Sequence, residues 1–272
     1  MDPQTAIQQA RQSDNPILDL SDGNLSVLPA PIAALQHLQT LVLTGNNLNE
    51  LPDWIGHFPR LQALFLGGNP LREIPPSIGQ LSKLEKLVLT RTPLTRLPEE
   101  LGQLSNLRYL SLRDCDLQQL PDSLSRLTGL EQLFLTNNHI KRLPADLEQM
   151  SSLRVFHLNN NHLESLPGGF WFLDSLEDLV LSGNPLSVIP GEIGRLTNLK
   201  NLFLSNIGFT SLPESIGELQ HLKWLFMAGN KVSYLPDSLI KLSALERLDV
   251  RGNPVENLSG LLERMASPPI LY

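Results

Sequence analysis

The stretch LQTLVLTGNNLNELPDWIGHFPR, from Leu38 to Arg60, contains the pattern that decides the fold. Its first half, LxxLxLxxN, places leucines at alternating positions such as Leu41 and Leu43, which predicts a short strand whose leucines point inward. Its second half turns at a Leu-Pro pair and continues as PxxIGxL. The side-chain amide of Asn46, between the halves, can turn the chain by bonding backbone groups. One strand followed by one tight turn is therefore the predicted structural repeat.

The same pattern recurs along the chain every 23 residues without an insertion. Prolines of Leu-Pro or Ile-Pro pairs mark this period at Pro29, Pro52, Pro75, Pro98, Pro121, Pro144, Pro167, Pro190, Pro213 and Pro236. A parallel strand in each repeat can pair with the strands of its neighbours. Since no repeat can bury its leucines alone, the repeats are expected to stack into a solenoid.

The repeat resembles that of leucine-rich-repeat proteins of the 23-residue LPxxIGxL type, over residues 15–265. Similar arrays occur in bacterial proteins, in Roco GTPases, in plant-pathogen effectors and in Ras-associated scaffolds. The opening AIQQARQSDNPILDLSDGNLSVLP resembles the start of bacterial Roco arrays, but no GxxxxGK[ST] phosphate loop follows it. The resemblance implies an α/β fold: a leucine-rich-repeat solenoid, or horseshoe, with a parallel β-sheet on its concave face and short helical or 3₁₀ segments on its convex face.

We expect a single domain over residues 1–272, with a capping helix at 1–14, eleven repeats at 15–257 of which the last is incomplete, and a C-terminal cap and tail at 258–272. Asp2 and Pro3 form a typical N-cap and N1 pair, and Ile7 and Ala10 are placed to cover the first repeat. The final SPPILY is expected to be a loose tail.

The asparagine position is expected to form a ladder from one repeat to the next. It departs from asparagine at Thr92, Cys115 and Ile207. Threonine and cysteine can still make local hydrogen bonds, but the isoleucine side chain cannot. The repeat that contains Ile207 is therefore expected to have altered local geometry, either as a functional hinge or by plain sequence drift.

Composition and charge exclude several classes of function. The net charge of −7 argues against binding to nucleic acid, which needs a basic face, and no apolar run is long enough to span a membrane. One cysteine cannot form an internal disulfide and fits a reducing compartment. We therefore expect a cytoplasmic protein, or alternatively one that a specialised secretion system delivers into a host cell.

The residues beside the inward leucines form columns on the predicted concave face. Six of the 50 positions in these columns are aromatic, against nine of the remaining 222. Exposed aromatic residues beside arginines are typical of protein-binding hot spots, whereas the alternative is that such residues simply favour strands and stack on one another. The predicted protein-binding residues are Phe65, Tyr109, Arg113, Phe134, His157, Phe203, Trp224, Phe226 and Arg251.

Catalytic or metal chemistry finds little support in the sequence. Asp116, His139 and His162 share one position in consecutive repeats, but their spacing of about 5 Å is wide for a metal and no fourth ligand is evident. We predict no metal, no cofactor and no catalytic residue. Cys115 occupies the ladder position and is interpreted as a buried substitute for asparagine rather than as a nucleophile.

The leading hypothesis is a non-enzymatic scaffold that recognises a protein partner through its concave face. Nine basic and seven acidic residues in the columns give that face a charge of +2 and leave −9 elsewhere, which favours a partner with an acidic or mixed surface. We expect a monomer rather than a homodimer. The alternative is the substrate-recognition part of a multi-component enzyme system, such as a kinase, GTPase or ubiquitin ligase, or a bacterial effector that acts on host proteins.

Overall fold

The computed structural model describes residues 3–272, which form two compact units that divide between His139 and Ile140. Asp2, the expected N-cap residue, lies outside the described residues. In each unit, short parallel strands alternate with single turns of 3₁₀ helix along the chain. The expected α/β solenoid of parallel strands and 3₁₀ segments is thus confirmed within each unit.

The first unit begins with helix α1 (Pro3–Gln12), whose Ile7 and Ala10 are buried. Its sheet has the order β1 to β6, comprising Ile17–Asp19 (β1), Thr40–Val42 (β2), Ala63–Phe65 (β3), Lys86–Val88 (β4), Tyr109–Ser111 (β5) and Gln132–Phe134 (β6). The 3₁₀ segments are Ala30–Ala34, Asp53–His57, Pro76–Gln80, Glu99–Gln103 and Asp122–Arg126.

The second unit continues the pattern and ends with helix α2 (Leu258–Leu262) and a last short strand. Its strands are Val155–His157 (β7), Asp178–Val180 (β8), Asn201–Phe203 (β9), Trp224–Phe226 (β10), Arg247–Asp249 (β11) and Ile270–Leu271 (β12). The 3₁₀ segments are Leu147–Gln149, Gly168–Phe172, Gly191–Arg195, Glu214–Glu218 and Asp237–Lys241.

The alternation in LxxLxLxx explains which side of each strand is buried. In β2 the central Leu41 is fully buried, while Thr40 and Val42 on either side are only partly covered. Strands pair in register one repeat apart, so that Leu41 lies beside Leu64. Inward leucines therefore stack into a continuous core within each unit, and the alternate side chains remain on the opposite surface.

The asparagine ladder forms as the sequence predicts. The Asn69 Nδ2 group donates to the carbonyls of Leu43 and Leu66 at 2.9 and 2.8 Å, and its Oδ1 accepts from the Leu48 N–H at 3.1 Å. Buried backbone groups of two neighbouring repeats are thereby satisfied by one side chain. Thr92 keeps one such bond, from its hydroxyl to the Leu89 carbonyl at 2.6 Å.

Local geometry does change where the ladder side chain cannot hydrogen-bond. Ile207 is buried, and its N–H and that of Gly208 both donate to Asn230 Oδ1, at 3.0 and 2.8 Å. Gly208 takes a left-handed φ of +87°. In the first repeat the ladder position is Gly23, which has no side chain to bond, and the residue after it, Asn24, is also left-handed, at φ +54°. The expected alteration at Ile207 is therefore confirmed.

The C-terminal tail was expected to be loose, and this expectation is wrong. Ile270 and Leu271 form β12, which pairs in parallel with β11. The Ile270 N–H donates to the Glu246 carbonyl at 2.8 Å, and the Tyr272 N–H donates to the Leu248 carbonyl at 3.2 Å. These backbone bonds hold the last residues in place, although the segment is too short to show an alternating pattern.

Candidate protein-binding face

The candidate site is the surface of each unit opposite the buried leucines. We call it the strand face and define it in each repeat by the positions equivalent to Gln39, Thr40, Val42, Thr44 and Gly45. Adjacent strands of a sheet lie about 4.8 Å apart, so equivalent side chains of neighbouring repeats are in contact range. The nine predicted binding residues all lie on this face, four in the first unit and five in the second.

In the first unit the strand face carries a cluster of aromatic rings and cations. The Lys86 Nζ lies 4.5 Å from the ring centroid of Tyr109 and 5.4 Å from that of Phe65. The rings of Tyr109 and Phe134 are 5.2 Å apart, and the guanidinium of Arg113 lies 4.0 Å from the Phe134 ring centroid. The structure thus brings together all four residues predicted in this unit.

Phe134 was expected to be an exposed aromatic, and in this respect the prediction is wrong. Its residue exposure is only 7%. Tyr109 and Arg113 lie against its ring and cover it, so a partner would meet those two residues first. Phe134 supports the cluster from below rather than presenting its own surface.

In the second unit the strand face carries a longer aromatic stack. Phe203 and Phe226, both partly exposed, stack with centroids 5.1 Å apart and an interplanar angle of 20°. The ring of Tyr272, from the segment expected to be loose, lies 5.8 Å from Phe226. Trp224 stands in the adjacent column with the Arg247 guanidinium 4.9 Å from its ring, and its buried Nε1 has no hydrogen-bond acceptor among residues 3–272.

Charged side chains beside the aromatic stack are neutralised by neighbours. Arg251 donates to both carboxylate oxygens of Asp249, at 2.9 and 2.7 Å, and these bonds hold the pKa of the buried Asp249 carboxyl below its usual range. The hydrogen bond from Lys200, with help from Arg154, likewise lowers the pKa of Glu177. The predicted binding residue Arg251 is thus already engaged in an ion pair.

His157, also predicted to bind, lies away from the aromatic stack. Its Nε2 is 3.5 Å from Asp178 Oδ1 on the neighbouring strand, and both side chains are largely covered. The facing Nε2 and Oδ1 atoms are themselves buried, so a partner could reach only the remaining ring and carboxylate atoms of the pair.

Three residues of these clusters are not among the nine predicted protein-binding residues: Lys86, Arg247 and Tyr272. Their interactions depend on side-chain direction, which the repeat pattern does not contain. The repeat register did give a signal for Tyr272, because it follows Asp249 by one repeat of 23 residues and so falls in the column that contains Phe226.

Groups that could perform chemistry are sparse. Asp116 Oδ1 lies 3.9 Å from His139 Nε2, with both side chains more than half exposed. Across residues 3–272, no three His, Cys, Asp or Glu side chains come close enough together to hold a metal ion. Burial raises the pKa of the Cys115 thiol, which disfavours the nucleophilic thiolate.

An open groove of about 510 Å³ lies in the first unit, beside the Leu-Pro turns rather than on the strand face. Its lining includes Glu50, Asp53, Glu73 and Glu100, and Arg96, which forms an ion pair with Glu73 at 3.1 Å. Its lining combines these charged side chains with prolines and with the buried Leu51, Ile74 and Leu97.

Solved structures with the same arrangement support the fold. A leucine-rich-repeat protein of Leptospira interrogans is 28% identical with a TM-score of 0.62, over 97% of this chain and 86% of that one. The Arabidopsis receptor kinase HAESA, solved with the peptide hormone IDA and the co-receptor SERK1, is 30% identical with a TM-score of 0.77, over 89% of this chain but only 43% of that one. An internalin of Listeria monocytogenes, at 19% identity and a TM-score of 0.70, shares the fold.

No curated protein sequence matches this chain significantly. Within the described residues, neither helix has the length and apolar character needed to cross a bilayer. The family model described as a leucine-rich repeat region matches residues 17–108, 97–202 and 187–267, which together take in most of the chain. With the strands, the asparagine ladder and the matched repeats in agreement, this protein belongs to the leucine-rich repeat family.

Proposed function

We propose that this protein is a non-enzymatic interaction scaffold that recognises a protein partner through its strand face. The observation that carries the proposal is the partly exposed aromatic surface of the second unit. On β9 and β10 the inward Leu202 and Leu225 are fully buried, whereas Phe203, Trp224 and Phe226 on the other side remain accessible. Rigid aromatic side chains held by a sheet provide large contact area at small entropic cost.

Relatives and charge support a protein as the partner. HAESA forms a complex with a peptide hormone and a co-receptor. The strand-face columns of this chain sum to +2 while the remaining residues sum to −9, so an acidic or mixed partner surface would be complementary. We propose neither a nucleic acid nor a membrane as the ligand, and we propose that the chain acts as a monomer.

The single cysteine bears on the compartment. Cys115 is a buried free thiol that contacts Thr92 and the Leu89 carbonyl. A protein without a disulfide fits a reducing environment, so we propose the cytoplasm of the producing cell or, after delivery, of a host cell.

The proposal is tested by affinity capture from lysates of the source organism with a double variant, Trp224→Ala with Phe203→Ala. The matched control is Phe172→Ala with Tyr234→Ala, which removes two exposed aromatic rings outside the strand face. We expect wild type and control to capture the same partner and the strand-face variant to lose it. With the captured partner in calorimetry, the loss should be about 3 kcal/mol, as for hot-spot aromatics.

A different outcome would contradict the proposal. If the strand-face variant captures the partner as well as wild type does while its unfolding temperature falls sharply, the rings are structural. The strand face is then not the binding surface.

A further inference from the structure

The unpaired cations of the strand face are concentrated in the first unit. Of its nine basic residues, five form ion pairs: Arg108, Arg154, Lys200, Lys223 and Arg251. Arg247 lies over Trp224 in the second unit. The other three, Lys86, Arg91 and Arg113, have no ion pair among residues 3–272, and all belong to two adjacent repeats.

These three residues are held close to one another by the fold. Lys86 and Arg113 lie at opposite ends of the Tyr109 and Phe134 ring pair. The Arg91 N–H donates to the Arg113 carbonyl at 2.9 Å, which fixes Arg91 beside it. We call Lys86, Arg91 and Arg113 the cation cluster.

Aromatic contacts position the cations without neutralising them. A ring face attracts a cation but carries no net charge, so Lys86 Nζ and the terminal guanidinium nitrogens of Arg113 can still donate to an anion, whereas the Arg113 Nε is buried. The acidic neighbour Asp114 forms no ion pair with these cations within residues 3–272; its Oδ1 accepts from Asn137 Nδ2 at 2.6 Å and keeps its charge, which the three cations outnumber. A guanidinium that is already oriented loses less entropy when it binds a carboxylate.

Arg91 supplies an independent indication of function. The residue before each ladder position has a left-handed φ, and in eleven repeats it is glycine five times, asparagine or aspartate five times, and Arg91 once, at φ +59°. A long side chain is disfavoured there by about 1 kcal/mol or more relative to glycine. Retained backbone strain of this kind is typical of functional positions.

We propose that the cation cluster binds carboxylate side chains of an extended acidic segment in the protein partner. This inference rests on the proposed function and assigns to it a specific site and a specific chemistry. Lys86 and Arg113 are partly exposed and Arg91 is exposed, so an extended segment can reach all three, and the rest of the chain, at net negative charge, would repel it.

The test uses the full chain and a fluorescein-labelled dodecapeptide of glutamate, with a glutamine dodecapeptide as the neutral probe. Fluorescence anisotropy at about 0.1 M ionic strength should show saturable binding of the glutamate peptide only, weakening as salt is raised. Lys86→Gln and Arg113→Gln should each weaken it about tenfold, as expected for loss of a charged hydrogen bond. The matched control Arg60→Gln removes the same charge from an exposed residue outside the strand face and should leave the affinity within about twofold of wild type.

Arg91→Asn separates a binding role from a structural one. Asparagine tolerates the left-handed backbone, so this variant should raise the urea midpoint of unfolding. It should at the same time weaken the binding of the glutamate peptide. An arginine with only a structural role would not give both changes.

Three results would overturn the proposal: no saturable binding of the glutamate peptide, equal effects of Arg60→Gln and Arg113→Gln, or full displacement by an equal concentration of inorganic phosphate, which would indicate a small-anion site instead. If any of these occurs while partner capture still depends on Trp224 and Phe203, the cation cluster is rejected and the proposed function stands.

Discussion

At the scale of single residues, the backbone conformation around the ladder is set by what each side chain can bond. Repeats with a ladder asparagine need one left-handed residue, the one before it, whereas the repeat with Ile207 needs a second, Gly208. Asn230 Oδ1 then accepts hydrogen bonds from the N–H groups of Ile207 and Gly208. The backbone can bring both N–H groups to this oxygen because Gly208 has a positive φ. Glycine at 208 is therefore required for conformation and not for space, since a Cβ there would meet no atom within 4 Å.

We expect Gly208→Ala to destabilise the protein by about 1 kcal/mol, because alanine is strained at φ +87°. The matched control is Gly260→Ala in α2, where a Cβ also meets nothing within 4 Å but the φ is not positive. This control should be neutral or stabilising by about 0.5–1 kcal/mol. Urea unfolding measures both changes, and equal effects of the two substitutions would contradict the role of φ.

At the scale of elements, β11 and β12 are joined by backbone bonds and by the side chains around Asp249. This carboxylate is buried, and Arg251 lowers its pKa. A folded-state pKa below that of the unfolded chain means that the ionised group adds stability above the unfolded value of about 4. That contribution is lost as the pH falls through the folded pKa.

The advantage of wild type over Asp249→Asn in the free energy of unfolding should therefore be largest near neutral pH and should decline as the pH falls below about 4. Asp237→Asn is the matched control, because Asp237 pairs with Arg264 on an exposed surface where ion pairs contribute little. Urea unfolding at a series of pH values gives the comparison. A difference between wild type and Asp249→Asn that does not vary with pH would show that charge on this carboxylate is irrelevant to stability.

At the scale of the whole molecule, the repeat pattern predicts the strands and the ladder, because these depend on the 23-residue spacing. It predicts few of the side-chain contacts, because these depend on the direction that each side chain takes. Strands such as Thr40–Val42 and the ladder bonds of Asn69 follow from spacing alone. The burial of Phe134 could not be predicted, because a column shows which residues face outward but not that Arg113 folds down over a ring. The strand at Ile270–Leu271 was missed because two residues are too few to show a period.

Each repeat of a stack packs only on its neighbours, so stability varies along the chain with each interface between repeats. The interface at Ile207 lacks the ladder amide. In the preceding repeat the Leu163 N–H donates to Asn184 Oδ1 at 3.1 Å, whereas the equivalent Leu186 N–H has no acceptor within residues 3–272. This interface is the expected weak point of the second unit.

We expect hydrogen exchange among the buried positions of the second unit to be fastest at this interface. The Leu186 amide should exchange about fivefold to tenfold faster than the Leu163 amide, because it lacks a hydrogen bond that contributes about 1 kcal/mol. Ile207→Asn should slow exchange at Leu186 by supplying an acceptor. Global stability should change little, because the new bonds offset the lost burial of the isoleucine side chain. Ile207→Ala removes the same burial without adding an amide and should leave Leu186 unprotected.

Uniform protection of the two amides in the wild type, or equal protection of Leu186 in both variants, would mean that the ladder bond does not govern stability at this interface.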